Sequence, residues 1–103
     1  MDELLTEYQY YLISEKMKSE NTVKSYTSDL ANYLYYLQEK LSINNPQDIT
    51  TDEIKRYLTY LKKLGYSATS SSRALSAIKS FHKFLFLEDF LPNCLFHIFL
   101  HYL

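Results

Sequence analysis

The residues best suited to chemistry in this chain lie between Thr69 and Lys83. Thr69, Ser72, Arg73, Ser76, Lys79, Ser80 and Lys83 recur at short intervals, and at about 100° per residue a helix would gather them into an arc of roughly 120°. Ala74, Ile78, Phe81 and Leu85 would share the opposite side, and no acid occurs from residue 67 to residue 83. Short hydroxyl side chains let a helix backbone approach a phosphate chain and donate hydrogen bonds to it, while Arg and Lys add charge and reach base edges. Serine has only middling helix propensity, and an exposed helix is better stabilised by Glu, Lys or Ala. Ser70, Ser71, Ser72, Ser76 and Ser80 therefore point to a purpose other than stability. The competing reading is an ordinary solvated basic face.

A second such set lies near residue 20. Asn21, Lys24, Ser25 and Ser28 fall away from the apolar stripe of their own segment, with Lys16 and Lys18 just before it. Unpaired backbone N–H groups at a helix start, beside lysines, form a natural phosphate site. Simple capping by Ser19 or Asn21 is the alternative, and the two roles are compatible. Elsewhere the inventory for catalysis is thin. His82, His97 and His101 come with no carboxylate pair, metal spacing or glycine-rich phosphate loop, so no cofactor, metal or small-molecule substrate is expected. Most of the eleven tyrosines and six phenylalanines sit at core spacing, among them Tyr8, Tyr11, Tyr26, Tyr33, Tyr57, Phe81 and Phe84, whereas Tyr35, Tyr36 and Tyr60 are expected at the surface.

Four helices would position these sets. The first is expected over residues 2–16, with Leu5, Tyr8 and Leu12 inward and acids in its first turn, where they complement the helix dipole. Ser19 is the expected N-cap of the second, whose stripe of Val23, Tyr26, Leu30, Tyr33, Leu34, Leu37 and Leu41 has helical spacing. Asn44-Asn45-Pro46 marks a turn. Thr50 with Glu53 reads as a capping box opening the third helix, with Ile54, Tyr57, Leu58 and Leu61 on its apolar side and Gly65 as its left-handed stop. Ser67 or Thr69 opens the fourth, which Pro92 ends.

Composition agrees with an all-α fold. A chain of 103 residues has room for one domain, and one glycine and two prolines leave too little punctuation for a β sandwich. The single Cys94 forms no internal disulfide, no stretch approaches a membrane span, and the acidic start lacks the basic region of a signal peptide. The expected setting is the cytoplasm, with no membrane partner. The formal net charge of −1 hides a partition: residues 1–15 hold acids and no Lys or Arg, while all eleven Lys and Arg lie in residues 16–83. For a polyanionic partner, clustering on a face matters more than the total.

The segments Ser19-Glu20-Asn21-Thr22-Val23-Lys24-Ser25-Tyr26 with Asp29-Leu30, Ile49-Thr50, Ile54-Lys55-Arg56-Tyr57-Leu58, Ser67-Ala68-Thr69-Ser70 and the run from Arg73 to Leu85 together resemble the N-terminal core-binding domain of tyrosine recombinases, of the Xer-type and phage-integrase kinds. The resemblance spans about residues 3–93. It implies a SAM-like four-helix bundle that arches over one side of a recombination core site, with double-stranded DNA as partner and other recombinase protomers alongside it on that DNA. It also implies that Ser19, Asn21, Thr22, Lys24 and Ser25 meet phosphates at the start of the second helix, and that Thr69, Ser72, Arg73, Ser76, Lys79, Ser80 and Lys83 approach the major groove.

In that family the reacting tyrosine and its assisting residues belong to a C-terminal domain, and nothing after Asn93 resembles it. The expectation is a non-catalytic DNA-binding module over residues 1–93, followed by an apolar tail over residues 94–103. The tail reads equally as a short extra helix, an oligomer contact or the product of a truncated reading frame. The alternative for the whole chain is a helical protein-interaction or dimerisation module whose basic faces are merely solvated.

Overall fold

A computed structural model of the chain describes residues 2–88. Four α-helices run in order, α1 (Asp2–Ser14), α2 (Glu20–Lys40), α3 (Thr51–Lys63) and α4 (Ala68–Leu87), with a 3-10 turn at Pro46–Asp48. Among the described residues there is no strand, so the all-α expectation holds. The tail over residues 94–103 lies outside the described residues.

The expected start and stop signals are used. Ser19 caps α2 by accepting the Thr22 N–H at 3.2 Å, and Ser67, rather than Thr69, caps α4 by accepting the Ser70 N–H at 3.1 Å. At the start of α3 the Thr50 N–H and hydroxyl both donate to the Glu53 carboxylate. Ile49 and Ile54, both buried, stand at the two positions of a hydrophobic staple around that cap. Gly65 closes α3 at φ +89°. Its N–H reaches the Lys62 carbonyl at 3.1 Å and the Tyr66 N–H reaches that of Leu61 at 3.1 Å, the paired bonds of a Schellman stop.

The ends of α1 and α2 use no glycine. Met17 (φ +49°) and Ser42 (φ +55°) adopt the left-handed conformation, after which the Lys18 N–H returns to the Leu12 carbonyl at 3.0 Å and the Ile43 N–H to that of Leu37 at 2.9 Å. This turn is why α1 stops at Ser14, short of the expected Lys16. Lys16 instead folds back, its ammonium 5.8 Å from the centre of the Tyr11 ring.

α2 and α4 form the central pair; α1 and α3 each pack on both of them and do not pack on each other. The apolar stripes read from the spacing meet inside. Tyr8 and Leu12 from α1, Leu30, Tyr33 and Leu37 from α2, Ile54 and Leu61 from α3, and Ile78, Phe81 and Leu85 from α4 are buried. Each large side chain so buried contributes about 1.5–3 kcal/mol relative to its exposed state. Tyr8 meets Phe81 edge-on at 5.5 Å, and Tyr33 meets Tyr57 at 5.2 Å.

Two tyrosines depart from expectation. Tyr36 is buried and Tyr60 half-buried, their rings 4.8 Å apart where α3 crosses the second half of α2. Tyr35 is exposed as expected. Periodicity along one helix cannot reveal which neighbouring helix covers its flank, and that is what decides the burial of Tyr36.

Candidate nucleic-acid interface

At the start of α2, Ser19, Asn21 and Lys24 are exposed, and Thr22 and Ser25 are half-buried. The Ser19 hydroxyl also bonds to Thr22 Oγ1 at 2.9 Å, while Lys24 Nζ lies 3.5 Å from Glu20 Oε1, one helical turn back. Both of these side chains stand well out in solvent, where an ion pair of this kind is worth little and yields readily to a stronger anion.

On α4, Thr69, Ser72, Arg73, Ser76, Lys79 and Lys83 are exposed along one side. Among the described residues, no carboxylate lies within ion-pair distance of Lys79 or Lys83. Ser80 differs from its neighbours on the wheel. It is half-buried, and its Oγ accepts a hydrogen bond from the Tyr8 hydroxyl at 2.8 Å, tying α4 to α1.

The two faces are joined by one ion pair. Arg73 Nε donates to Asp29 Oδ2 at 2.9 Å and Arg73 Nη2 to Asp29 Oδ1 at 3.2 Å, the two-pronged geometry that a guanidinium and a carboxylate favour. Asp29 is 6% exposed, whereas half of the Arg73 side chain remains open to solvent. The hydrogen bond from Arg73 to Asp29, with the attraction between their charges, raises the arginine's already high pKa. Arg73 thus holds a buried carboxylate of α2 with one edge and faces outward with the rest.

This pair locates the faces relative to each other. Ser25 precedes Asp29 by one turn on α2, and Ser76 follows Arg73 by three residues on α4, so both lie on the same sides of their helices as the bridging residues. The hydroxyl-rich start of α2 and the outer side of α4 therefore border one another.

Asp29 was not among the residues singled out by type and spacing. Its signal was present: an acid beside Leu30, at the edge of an apolar stripe, requires a partner when buried. The absence of acids between residues 67 and 83 did not mean an unpaired Arg73, because its acid comes from another helix. His82, in contrast, lies in the core, 1% exposed, its Nε2 3.0 Å from the Tyr33 hydroxyl. Burial pushes its pKa down to about 3, so it stays neutral at any ordinary pH. Among the described residues no group of His, Cys, Asp and Glu is arranged to hold a metal ion, and no helix is long and apolar enough to cross a membrane. Cys94, His97 and His101 lie outside the described residues.

The family described as "Phage integrase, N-terminal SAM-like domain" matches residues 5–89, a stretch that takes in all of α2, α3 and α4. The chain belongs to this family. As an integrase N-terminal SAM-like domain it is similar to the tyrosine recombinase XerD of Oceanobacillus iheyensis, with 33% identity over 89 residues, 86% of this chain and 30% of that protein. It is 37% identical over 84 residues to the tyrosine recombinase XerD of Halalkalibacterium halodurans, covering 82% of this chain and 28% of that one. The tyrosine recombinase XerC of Rickettsia prowazekii is 36% identical over 89 residues, covering 82% and 29%. The integrase N-terminal SAM-like domain thus spans under a third of the length of these relatives. No solved structure gives a significant match.

Proposed function

We propose that this chain is a DNA-binding arm of a tyrosine site-specific recombinase, seating a duplex core site against the start of α2 and the outer side of α4 without performing strand cleavage itself. The module is assigned to residues 1–93. Ser19, Asn21, Thr22, Lys24 and Ser25 meet the phosphate backbone at one edge; Thr69, Ser72, Arg73, Ser76, Lys79 and Lys83 lie along the other, with Ser80 contributing only where its bond to Tyr8 permits. Other recombinase protomers are its neighbours on DNA.

The observation that carries this reading is the Asp29–Arg73 bridge. It joins the two helices whose exposed sides carry hydroxyls and cations, and it leaves half of a guanidinium facing outward. Family membership supports the same reading. An arm held mainly by phosphate contacts binds weakly, and its affinity falls with salt in proportion to the number of those contacts.

Fluorescence anisotropy with a labelled duplex tests it. Binding is expected with a dissociation constant of about 10⁻⁴–10⁻⁶ M, weakening sharply as salt rises from roughly 50 to 200 mM. A chain that binds no duplex at the lower salt overturns the proposal. A second reading, a protein-interaction module, draws on Tyr10 (69% exposed), Ile13 (57%) and Met17 (84%) along the outside of α1 and the turn after it. A concentration-dependent oligomer without duplex affinity would favour that account.

A further inference from the structure

The most compact set of cations on the described surface belongs to α3, outside the two faces assigned above. Lys55, Arg56, Lys62 and Lys63 are all exposed within nine residues of one helix. A groove of about 530 Å³ opens beside them, lined by Lys55, Arg56, Thr59 and Lys63 from α3, with Tyr36 and Tyr60 as an aromatic wall. Among the described residues its one lining carboxylate is Asp52, at the α3 N-terminal end, so these residues present three cations to one acid.

The groove lies close to the proposed seat. Asp29 and Tyr36 are seven residues apart on α2, on one side of the helix, and roughly 10 Å apart along its axis. Arg73 of α4 covers the first of these positions, and Tyr60 of α3 lies against the second. At about 3.4 Å of axial rise per phosphate on one strand, that spacing corresponds to about three phosphates. A strand passing Arg73 along α2 therefore leads toward the groove, where Arg56 and Lys63 supply charge, the Tyr60 hydroxyl supplies a donor, and Asp52 disfavours phosphate at the far end.

We infer that the α3 groove is a further sugar–phosphate binding site, which extends the footprint of the module along the duplex held by α2 and α4. The inference rests on the proposed function and adds to it a third helix and a specific set of residues. Thr59 donates its hydroxyl proton to the Lys55 carbonyl at 3.0 Å and adds no donor for phosphate; the cations carry the attraction. Because the groove reads backbone and not base edges, its contribution is independent of sequence.

Titration of the isotope-labelled full chain with an unlabelled duplex of arbitrary sequence, followed by backbone amide NMR shifts, tests the assignment. Amides of residues 55–63 are expected to move in step with those of residues 19–25 and 69–83, giving one common affinity. The variant Arg56→Ala/Lys63→Ala, altered only at exposed side chains, is expected to lose the shifts in α3, keep those in α2 and α4, and lower the salt slope of binding by about 2. Movement in α2 and α4 alone overturns the groove and leaves the proposed function standing. Movement in α3 with a separate, weaker affinity assigns it to a second duplex and overturns the shared footprint. No movement anywhere overturns both readings.

Discussion

Asp29 and Arg73, 44 residues apart in sequence, meet through two hydrogen bonds of 2.9 and 3.2 Å, so that a buried carboxylate of α2 is neutralised by a half-exposed guanidinium of α4. The same arginine thus has a structural edge and an outward edge. Removing it leaves Asp29 buried without its partner, which costs more than removing both members together. Arg73→Ala is expected to lower Tm clearly, and Asp29→Asn/Arg73→Ala to recover part of that loss. Arg73→Lys should behave like the alanine variant, since a point charge cannot reproduce the fork. Thermal unfolding of the three variants checks this; a double variant less stable than Arg73→Ala would contradict it.

His82 makes stability depend on pH in a defined direction. Its pKa falls from 6.5 to about 3 because it is buried. Below pH 6.5 the unfolded chain takes up a proton that the folded chain refuses, so stability is fully present above 6.5 and is lost as pH falls from there toward 3. The slope from this group approaches about 1.4 kcal/mol per pH unit. Urea unfolding at pH 6.5 and pH 5, where most carboxylates are still ionised, should show this loss in the natural chain. His82→Phe is expected to start lower, having left the Tyr33 hydroxyl without its partner, and to show a flatter dependence over the same interval.

Ser42 occupies a left-handed conformation that favours glycine. Ser42→Gly is expected to raise stability by about 0.5–1 kcal/mol, the relief of side-chain strain less the added freedom of the unfolded chain. Ser42→Val, β-branched at a positive φ, should lower stability. Chemical denaturation midpoints read both changes, and a destabilised glycine variant would show that the serine is held by something other than this turn.

Local signals were legible in the sequence where their chemistry is local. Ser19, the Thr50–Glu53 pair and Gly65 each act within a few residues of themselves, and each does what its type and position imply. The stripe from Val23 to Leu41 likewise gives the inner side of α2. Partners were not legible. Tyr8 finds Ser80 across 72 residues and Tyr33 finds His82 across 49, and helical spacing specifies a side of a helix but not what is packed there. Ser80 falls on the cationic arc of the wheel yet bonds to Tyr8 of α1, and the α3 cations line a groove only because Tyr36 of α2 packs against Tyr60 beside them.

The seating of a duplex on α2 and α4 is tested most directly by the salt dependence of binding in Lys79→Ala/Lys83→Ala, compared with the natural chain. With each phosphate contact on B-DNA adding about 0.9 to the slope, the double variant is expected to lose about 2 from the logarithmic slope. Equal slopes for the two proteins would contradict the account.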